Sequence, residues 1–337
     1  MGKQRLSVAM CTYNCAEYLK EQLDSIALQT RPPDELVICD DRSFDATVEI
    51  IKFFKAKAAF PVRFTINEQN LGTTKNFEKA VSLCTGDIIV LSDQDDVWHP
   101  EKLMLIEAKM SSLPYAGVVF TDADVVDECL RPMGYRLWEA KRFSPAEQKK
   151  VSQGRAFEVL LKHNVVTGAT MAFRAKYREL FLPIPASWLH DAWIALIIAA
   201  YAELAIIRKP LIKYRQHLNQ QLGANKKGFF QQIAMSQQTG PNTYFAQIDR
   251  FMAAQRLLTE NYSAPCKKEV LSKLEAKMRH LLVRGSISKQ KMRHGLIAII
   301  KELATLRYHR YSYGWKSAAR DLYAFLFLFH GSPPSER

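Results

Sequence analysis

Short apolar runs alternate with segments of helical periodicity over the first 120 residues, and this alternation constrains the fold more than any other feature. In the helical segments, apolar residues recur on one face, as Leu19, Leu23 and Ile26 do. Strands that alternate with helices of about 10–15 residues predict an α/β fold with a Rossmann-like, mostly parallel sheet flanked by helices. The predicted strands are Leu6–Met10, Glu35–Cys39, Val62–Ile66, Asp87–Leu91 and Gly117–Phe120, and the predicted helices are Ala16–Leu28, Thr47–Lys57, Thr74–Leu83 and one from Pro100.

Three of these strands end in polar clusters. The first runs into Thr12-Tyr13-Asn14, the second stops at Asp40-Asp41, and the fourth leads into Asp93-Gln94-Asp95. Ligands of open α/β sheets bind beyond the carboxyl ends of the strands. We therefore expect the three clusters to meet at one edge of the sheet and to form a site there.

The chain changes character after about Gly223, where it becomes helical, basic and rich in Tyr and Phe. The net charge is +13, and the segment from Phe251 to Arg337 holds 16 Lys and Arg against 6 Asp and Glu. This asymmetry predicts two regions, residues 1–223 and a helical, basic C-terminal extension at 224–337, with a boundary near Gly223–Lys227.

The cysteines and apolar stretches indicate a reducing compartment. No two of the six cysteines form a C-x-x-C pair, and Cys11, Cys39 and Cys84 lie in or beside apolar runs, so a disulfide framework is not expected. Leu6–Met10 is too short for the core of a signal peptide. The longest apolar stretch, Trp193–Ile207, is interrupted by Glu203 and is predicted to be a buried amphipathic helix that runs into a strand, not a membrane span. We expect a cytoplasmic protein.

Asp93 and Asp95 stand two residues apart directly after an apolar strand. Mg²⁺ typically takes one or two protein carboxylates together with substrate phosphates. A carboxylate–metal–diphosphate bridge would hold a nucleotide diphosphate and stabilise charge on it as it leaves. The alternative is a solvated acidic turn, but the convergence with two other polar strand ends favours a metal site.

Other residues around the predicted edge have two interpretations each. Asp41 either accepts hydrogen bonds from a nucleoside or belongs to the N-terminal cap of the next helix, where Asp45 or Ser43 is the capping residue. Asn70, Gly72 and Asn76 lie in a loop that runs into a helix, which suits either a phosphate or an ordinary turn.

Two later segments carry further candidates. Asp191 follows His190 and precedes Trp193 at the start of an apolar helix, where it is either a general base or a helix cap. In Tyr214-Arg215-Gln216-His217, either Arg215 or His217 could reach a diphosphate or a metal, and a surface loop is the alternative.

Together these residues resemble glycosyltransferase family 2, the inverting family with the GT-A fold. The resemblance covers roughly Leu6 to Gly223. The motifs that carry it are Cys11-Thr12-Tyr13-Asn14, Asp40-Asp41-Arg42-Ser43-Phe44-Asp45-Ala46-Thr47, Asn70-Leu71-Gly72 and Ser92-Asp93-Gln94-Asp95-Asp96-Val97-Trp98.

The resemblance implies a role for each matching residue. It places Thr12, Tyr13, Asn14 and Asp41 around the base and ribose of a nucleotide-sugar donor, with Asn70, Asn76 and Arg215 also on the donor side. It places Asp93 by the ribose or sugar, and it makes Asp95, with His217, a ligand of Mg²⁺ or Mn²⁺. Asp191 falls at the position of the catalytic base, and Gly168, His190, Trp193 and Trp98 fall on the acceptor side. His190 stands where the family often has an acidic residue. The donor-binding half is about residues 1–98 and the acceptor-side half about 99–223.

The resemblance also narrows the type of enzyme. Tyr214-Arg215-Gln216-His217 stands where processive members carry Q-x-x-R-W, which implies the addition of one sugar at a time. The forms Ser-Asp-Gln-Asp-Asp-Val-Trp and Tyr-Arg-Gln-His are similar to those of bacterial rhamnosyltransferase-like members that build O-antigen or capsule. The expected donor is dTDP-rhamnose, with UDP-hexoses as the alternative, and the expected acceptor is a glycan or a polyprenyl-linked saccharide.

The basic C-terminal region has three interpretations. His309–Lys316 and Leu322–Phe329 combine basic with aromatic and apolar residues, as helices at a membrane interface do. Such a helix would put the protein at the periphery of the cytoplasmic face of the inner membrane. The region could instead pack on the catalytic domain with a solvated basic face, or it could form an oligomer.

Competing functions fit the sequence less well. A nucleotidyltransferase would need a glycine-rich loop near the first strand, and a dehydrogenase would need G-x-G-x-x-G, and both are missing from the sequence. A non-enzymatic protein that binds nucleic acid or anionic surfaces would use the basic tail, but acidic strand ends repel a phosphate backbone. We therefore expect no nucleic-acid partner.

Overall fold

The computed structural model describes residues 4–217, 220, 241–261, 267–287 and 291–328. It divides into two compact units, the first within residues 1–157 and 164–226 and the second within 158–163 and 227–337. The predicted boundary at Gly223–Lys227 lies outside the described residues and stays a prediction.

The first unit is built on one mixed sheet. Its strand order is β3-β2-β1-β4-β8-β6-β9-β5, and β7 pairs with the far end of β6. Strands β3, β2, β1 and β4 are parallel neighbours, whereas β8 runs antiparallel between β4 and β6. The strands are β1 (Leu6–Thr12), β2 (Glu35–Asp40), β3 (Val62–Ile66), β4 (Ile88–Ser92), β5 (Val97–Trp98), β6 (Ala116–Val126), β7 (Pro132–Arg136), β8 (Met171–Arg174) and β9 (Glu203–Arg215).

Helices connect and flank these strands. The longer ones follow β1, β2, β3 and β5 and put their apolar faces into a core that includes Leu19, Leu23 and Ile51. Because β1, β2 and β4 are buried along their whole length, they consist almost entirely of apolar side chains. The helices are α1 (Ala16–Ala27), α2 (Thr47–Lys57), α3 (Thr73–Leu83), α4 (Lys102–Ser112), α5 (Leu137–Ala140), α6 (Pro145–Ser152), α7 (Ala156–Lys162), α8 (Arg178–Phe181) and α9 (His190–Tyr201). Of these, α7 begins in the first unit, and its residues from Glu158 onward belong to the second.

The predicted α/β fold is confirmed, and the differences are local. The strand predicted at Gly117–Phe120 is the middle of the longer β6, and the helix predicted from Pro100 begins at Lys102. The run Trp193–Ile207 does divide into a helix and a strand. The helix, α9, is buried on nearly every side and is not amphipathic, because it packs against the sheet and against α3 and α8. Strands β5, β7 and β8 were not predicted, since they are short or depend on distant pairing.

The cysteines agree with the expectation of no disulfide framework within the described residues. Cys11, Cys15, Cys39 and Cys84 are buried free thiols, and Cys129 is an exposed one. Cys266 lies outside the described residues. No helix among the residues that the structure describes is long and apolar enough to span a bilayer.

The second unit is helical where it is described. Its helices are α10 (Pro241–Asn261), α11 (Lys267–Ser286), α12 (Met292–Ala304), α13 (Arg307–Tyr311) and α14 (Trp315–Tyr323), and a π-helical turn follows at Ala324–Leu328. A small apolar cluster of Ile287, Ile299, Tyr308, Ala318 and Phe325 forms part of its interior.

A buried polar network joins four of these helices. Arg284 donates from Nε and Nη2 to the two carboxylate oxygens of Asp321, at 2.6 and 2.9 Å, and Tyr308 donates to the same carboxylate at 2.8 Å. His280 contacts Glu302 through Nδ1 and Ser312 through Nε2. This connectivity resembles a Ser-His-Glu triad, but Ser312 Oγ also accepts from Arg284 and all members are buried. The network therefore holds the helices together and is closed to a substrate.

Arg284→Met is expected to lower the free energy of unfolding of the second unit by up to about 5 kcal/mol, because it removes the cation that donates to both oxygens of the buried Asp321 carboxylate and leaves only the cationic contact with Arg320 at 3.1 Å. Urea denaturation followed by circular dichroism measures this, with the two units analysed as separate transitions where they separate. Lys20→Met, at an exposed pair with Asp24 on α1, is the control and should cause no measurable change. An Arg284→Met protein as stable as wild type would contradict the structural role.

Lys277 gives this unit a dependence on pH. Its ammonium group donates to the Tyr311 carbonyl at 2.8 Å, and burial, with Arg284 adding to it, lowers the pKa of Lys277 to about 7. Between that pKa and about 10.4, the unfolded chain binds a proton that the folded chain has released, so stability rises with pH. The free energy of unfolding of wild type minus that of Lys277→Met should rise by up to about 1.4 kcal/mol per pH unit from pH 7.5 to 9.5, because only wild type has the lysine. A difference that stays constant over this range would refute the assignment.

Candidate active site

The carboxyl ends of β1 and β2 are joined by side-chain hydrogen bonds. Parallel pairing puts Thr12 beside Asp40, and the Thr12 hydroxyl donates to Asp40 Oδ2 at 2.8 Å. Asp40 also accepts from the Ser43 backbone and hydroxyl. Asn14 has a positive φ of 45° and accepts from the Phe44 backbone through its side-chain oxygen. Thr12 and Asn14 thus shape the loop ends, and Tyr13 is half-exposed beside Phe44.

Asp41 organises the loop before α3. Its Oδ1 accepts from Asn67 Nδ2 at 2.8 Å and from the Leu71 backbone at 2.7 Å, and its Oδ2 accepts from the Gly72 backbone at 2.8 Å. Asn70 donates to the Asp41 carbonyl. The buried carboxylate is therefore satisfied by protein donors, and it holds the loop at the edge of the sheet.

Asn76 and Asp45 have contacts within the protein. Asn76 is 2% exposed, donates to the Cys39 carbonyl at 2.9 Å and accepts from Asn67 at 2.9 Å. Asp45 accepts from the backbone of Thr47 in α2 and of Ala16 in α1. The N-cap position of α2 is Ala46, and no side chain caps the helix there. Direct donor contacts by Asn76 and Asp41 stay predictions.

Gln94 fixes the loop after β4 to the end of β1. Its Oε1 accepts from the Tyr13 N–H at 2.6 Å, and its Nε2 donates to the Tyr13 carbonyl at 3.1 Å. Sequence reasoning treated Gln94 only as the spacer between two carboxylates. Its amide, which can donate and accept at once, was the available signal.

Asp95 and His217 meet although they are 122 positions apart in the chain. His217 Nε2 lies 2.8 Å from Asp95 Oδ2, and the imidazole also lies against the Tyr18 ring, with centroids 4.8 Å apart. His217 Nδ1 is buried with no partner among the described residues. The predicted pair of metal ligands is therefore brought together at the end of β9.

Arg215 holds the backbone near Asp95 through several hydrogen bonds. Its Nε donates to the Asp95 carbonyl at 2.7 Å, Nη1 donates to the Glu128 carbonyl, and Nη2 donates to the Glu21 carboxylate. Its guanidinium also covers the Tyr18 ring at 4.6 Å. Because every nitrogen group of the guanidinium is already bonded, these contacts give Arg215 a positioning role, and its predicted contact with a diphosphate stays untested.

Four acidic residues of the first unit, Asp93, Asp95, Asp96 and Asp191, influence a common buried group, Tyr214. Burial, with Asp95 and Asp191 adding to it, raises the pKa of Asp93 to about 7. Burial and the same cluster of carboxylates raise the pKa of Asp96, and they raise the pKa of Tyr214 well above its usual value. Asp93, Asp95 and Asp191 therefore lie close enough to repel one another, and a cation placed among them would relieve that repulsion.

Lys102 is a buried basic residue whose charge opposes the rise in the pKa of Asp93 and of Asp96. Its ammonium donates to the Ala169 carbonyl at 2.8 Å and lies 3.5 Å above the Trp98 ring. Burial lowers the pKa of Lys102, while the two carboxylates oppose that shift. Sequence reasoning missed Lys102, and the signal was a lysine on the apolar face of α4, four residues before Ile106.

Asp191 lies in the first turn of α9, where helix N–H groups favour a carboxylate. Its Oδ2 accepts from the Gly168 N–H at 3.1 Å, and its Oδ1 accepts from Asn164 at 3.3 Å. His190 stacks on Phe77 at 4.0 Å, and both of its ring nitrogens are buried with no partner among the described residues. Burial lowers the pKa of His190, so its ring is neutral near pH 7.

The remaining predicted acceptor-side residues are buried. Trp193 donates from its indole N–H to the Phe181 carbonyl at 2.7 Å, and Trp98 carries Lys102 on its face. An open cavity of about 550 Å³ lies beside the Asp41 loop, and its lining includes none of Asp41, Asp93, Asp95 and Asp191. Its lining residues are Leu71, Lys75, Glu78, Lys79, Ser82, Leu182 and Pro183.

The residues near Asp95 suit a divalent cation that is shared with a substrate. Within the described ranges, no cluster of three or more His, Cys, Asp or Glu side chains has the arrangement of a metal site. Asp95 and His217 lie 2.8 Å apart and could supply two ligands, and Mg²⁺ commonly takes its other ligands from phosphate and water. The crowded carboxylates and the Asp95–His217 pair therefore fit a cation bound together with a diphosphate.

Comparison with known proteins identifies the family. Residues 7–181, more than half of the chain, match the family model described as Glycosyl transferase family 2. An uncharacterized glycosyltransferase of Nostoc sp., alr2836, is 27% identical over 219 residues, which are 63% of this chain and 65% of that protein. The abequosyltransferase RfbV of Salmonella typhimurium is 34% identical over 109 residues, 32% of this chain and 33% of that protein. The chain spans 59% of the length of three uncharacterized mycobacterial relatives, at 26% identity.

Solved structures share the fold. Staphylococcus aureus TarS 1-349 in complex with UDP-GlcNAc is similar with a TM-score of 0.57 at 16% identity, over 95% of this chain and 89% of that chain. The mannosyltransferase PcManGT of Pyrobaculum calidifontis, in complex with GDP-Man and Mn²⁺, has a TM-score of 0.50 at 17% identity, over 97% of this chain and 88% of that chain. At these identities the likeness is one of fold.

Gly168→Ala is expected to lower the free energy of unfolding by about 1–3 kcal/mol, because a Cβ at this position would lie 2.6 Å from His190 Nε2. The cost should shrink in a His190→Ala background, where the ring is absent, so a double-mutant cycle of urea denaturation tests the contact. An equal cost in both backgrounds would show that the methyl group does not meet His190.

Proposed function

This chain belongs to glycosyltransferase family 2 and is a glycosyltransferase with the GT-A fold; from that premise we propose that it is a non-processive, inverting enzyme of cell-surface polysaccharide synthesis. We propose residues 1–223 as its catalytic domain. The donor is a nucleotide diphosphate sugar, with dTDP-rhamnose as the first choice, and the acceptor is a hydroxyl of a glycan or of a lipid-linked saccharide.

One observation carries this proposal. Asp93 and Asp95 lie in the loop after β4 and Asp191 lies in the first turn of α9, yet all three raise the pKa of Tyr214, and Asp95 and Asp191 both raise that of Asp93. Asp95 lies after β4 with His217, whereas Asp191 lies in α9 with Gly168. A single-displacement transfer needs a negatively charged leaving group on one side of the anomeric carbon and a base on the other, and this arrangement supplies residues for both.

On the donor side, Asp95 and His217 would hold Mg²⁺ or Mn²⁺ together with the diphosphate. When bound, the cation neutralises charge that develops on the diphosphate as the sugar leaves. Gln94 and Arg215 keep the Asp95 loop in place from its two sides. Tyr13, half-exposed at the end of β1, is available to contact the donor base, and Asn70 is held in the neighbouring loop by its hydrogen bond to the Asp41 carbonyl.

On the acceptor side, Asp191 would take the proton of the attacking hydroxyl. Gly168 and Asn164 donate to its two oxygens and orient the carboxylate. His190 is neutral and stays a proposed acceptor-side residue; its two ring nitrogens are buried and no described protein group uses them. Attack requires the hydroxyl oxygen within about 3–3.5 Å of the anomeric carbon, and the configuration inverts.

The choice of donor rests on motif similarity. The Ser92–Trp98 and Tyr214–His217 sequences support dTDP-rhamnose through their resemblance to rhamnosyltransferase-like members. A UDP-hexose is the alternative, and the fold similarity to TarS, whose complex contains UDP-GlcNAc, keeps it open. We propose no nucleic-acid partner, because the acidic end of the sheet would repel a phosphate backbone.

Asp95→Ala should abolish metal-dependent donor binding, whereas Asp191→Asn should keep donor binding and lower transfer by about 10²–10⁴-fold. The reason is that the two residues act on opposite sides of the sugar. Thermal shift of the purified protein with dTDP, UDP, GDP or CMP, each with and without Mg²⁺ or Mn²⁺, measures donor binding. A nucleotide at roughly 100 times its Kd stabilises a protein by about 2.7 kcal/mol, which raises Tm by several degrees.

Asp124→Ala is the matched control, since Asp124 is exposed on β6 and pairs only loosely with Arg136 at 3.6 Å. It should keep both donor binding and transfer. A shift with one nucleotide only when metal is present would identify the donor. Equal loss of donor affinity in Asp95→Ala and Asp191→Asn would refute the division of roles, and a folded protein that responds to no nucleotide would refute the donor site.

A further inference from the structure

The outer surface of α12 is apolar at its centre. Ile297 is 58% exposed and Ile300 is 63% exposed, although the same helix buries Ile299 in the apolar cluster of the second unit. Residues three and four apart lie on one face of a helix, so Arg293 and Lys301, each four residues from Ile297, flank this exposed ridge. Helix α12 therefore exposes Ile297 and Ile300 to solvent, and Arg293 and Lys301 flank them.

Helix α14 also has exposed apolar side chains next to a basic one. Trp315 is 68% exposed and Leu322, two helical turns later, is also exposed on that face. Lys316 is exposed next to Trp315. Trp315 touches His309 edge-on, with ring centroids 5.8 Å apart, and this contact leaves most of the indole accessible.

The acidic side chains of this region are turned inward. From Lys291 to Tyr323 the sequence has two of them, Glu302 and Asp321. Both are buried: Glu302 is paired with His280 and Arg307, and Asp321 is paired with Arg284 and Arg320. The exposed charges of the segment are therefore all positive. They are Lys291, Arg293, Lys301, Arg310 and Lys316.

We propose that the exposed faces of α12 and α14 bind the surface of an anionic lipid bilayer. Isoleucine and tryptophan enter the boundary between headgroups and acyl chains, while the lysines and arginines lie at the level of the lipid phosphates. Two copies of this cationic face would repel each other, which disfavours a homodimer contact. A polynucleotide would satisfy the cations but leave Ile297 and Ile300 in water. An enzyme held at the membrane in this way meets a lipid-linked acceptor, and that consequence rests on the proposed function.

The test is co-sedimentation of the full chain with vesicles, without nucleotide or metal. Binding is expected to vesicles of phosphatidylglycerol and phosphatidylethanolamine, to be at least tenfold weaker to phosphatidylcholine alone, and to fall as salt is raised. The double variant Ile297→Glu/Ile300→Glu should weaken binding at least tenfold. Leu28→Glu, at an exposed apolar residue of the first unit, is the matched control and should bind as wild type does.

Tryptophan fluorescence locates the contact. Trp315 is the most exposed tryptophan, so a blue shift of emission on addition of anionic vesicles should be seen in wild type and lost in Trp315→Phe. Circular dichroism and the nucleotide thermal shift should be unchanged in the double variant, which separates loss of the membrane face from loss of the fold or of the donor site.

Three outcomes would overturn the proposal. They are no binding to anionic vesicles, equal binding by wild type and the Ile297→Glu/Ile300→Glu variant, and a concentration-dependent dimer that this variant abolishes while vesicles remain unbound. The last outcome would make the face an interface between copies of the chain. Failure of the nucleotide thermal shift would affect the proposed function and leave the vesicle result standing.

Discussion

Repulsion among the carboxylates of Asp93, Asp95, Asp96 and Asp191 is the constraint on which the first unit depends. Burial is the main cause that raises the pKa of Asp93 to about 7, and the charges of Asp95 and Asp191 add to it. Lys102 opposes the rise in the pKa of Asp93 and of Asp96, and Arg215 donates to the Asp95 carbonyl. A cation placed among these carboxylates would stabilise their charged forms.

The polar residues around this cluster act mainly by building loops. Asp41 uses its carboxylate to gather three donors from the loop before α3, and Asn76 uses its amide to join that loop to β2. Gln94 joins the loop that holds Asp95 to the backbone of Tyr13. These contacts hold the candidate site at the carboxyl ends of β1, β2 and β4.

In the second unit, Glu302 and Asp321 are buried, whereas several basic side chains are exposed. Its acidic residues Glu302 and Asp321 are used inside, where they hold helices together through His280, Arg284 and Tyr308. The basic residues that they do not pair with remain outside, next to exposed Ile297, Ile300 and Trp315. Burying Glu302 and Asp321 therefore has two effects. It provides the contacts that hold the helices together, and it leaves the surface of the unit more cationic.

The sequence by itself determined the α/β alternation, the glycosyltransferase family and the strand ends that carry the candidate site, because apolar periodicity and short motifs are local properties. It did not predict the partner of each polar side chain: Asp41 and Asp95 both follow strands, yet Asp41 accepts from Asn67 and two backbone N–H groups whereas Asp95 meets His217. It also gave no role to Lys102 or Gln94, and it read α9 as amphipathic. These outcomes depend on pairing between segments that are far apart, as the 122 positions between Asp95 and His217 illustrate. Only the tertiary structure determines these contacts, since strand register and the order of strands in the sheet bring each buried group to its partner.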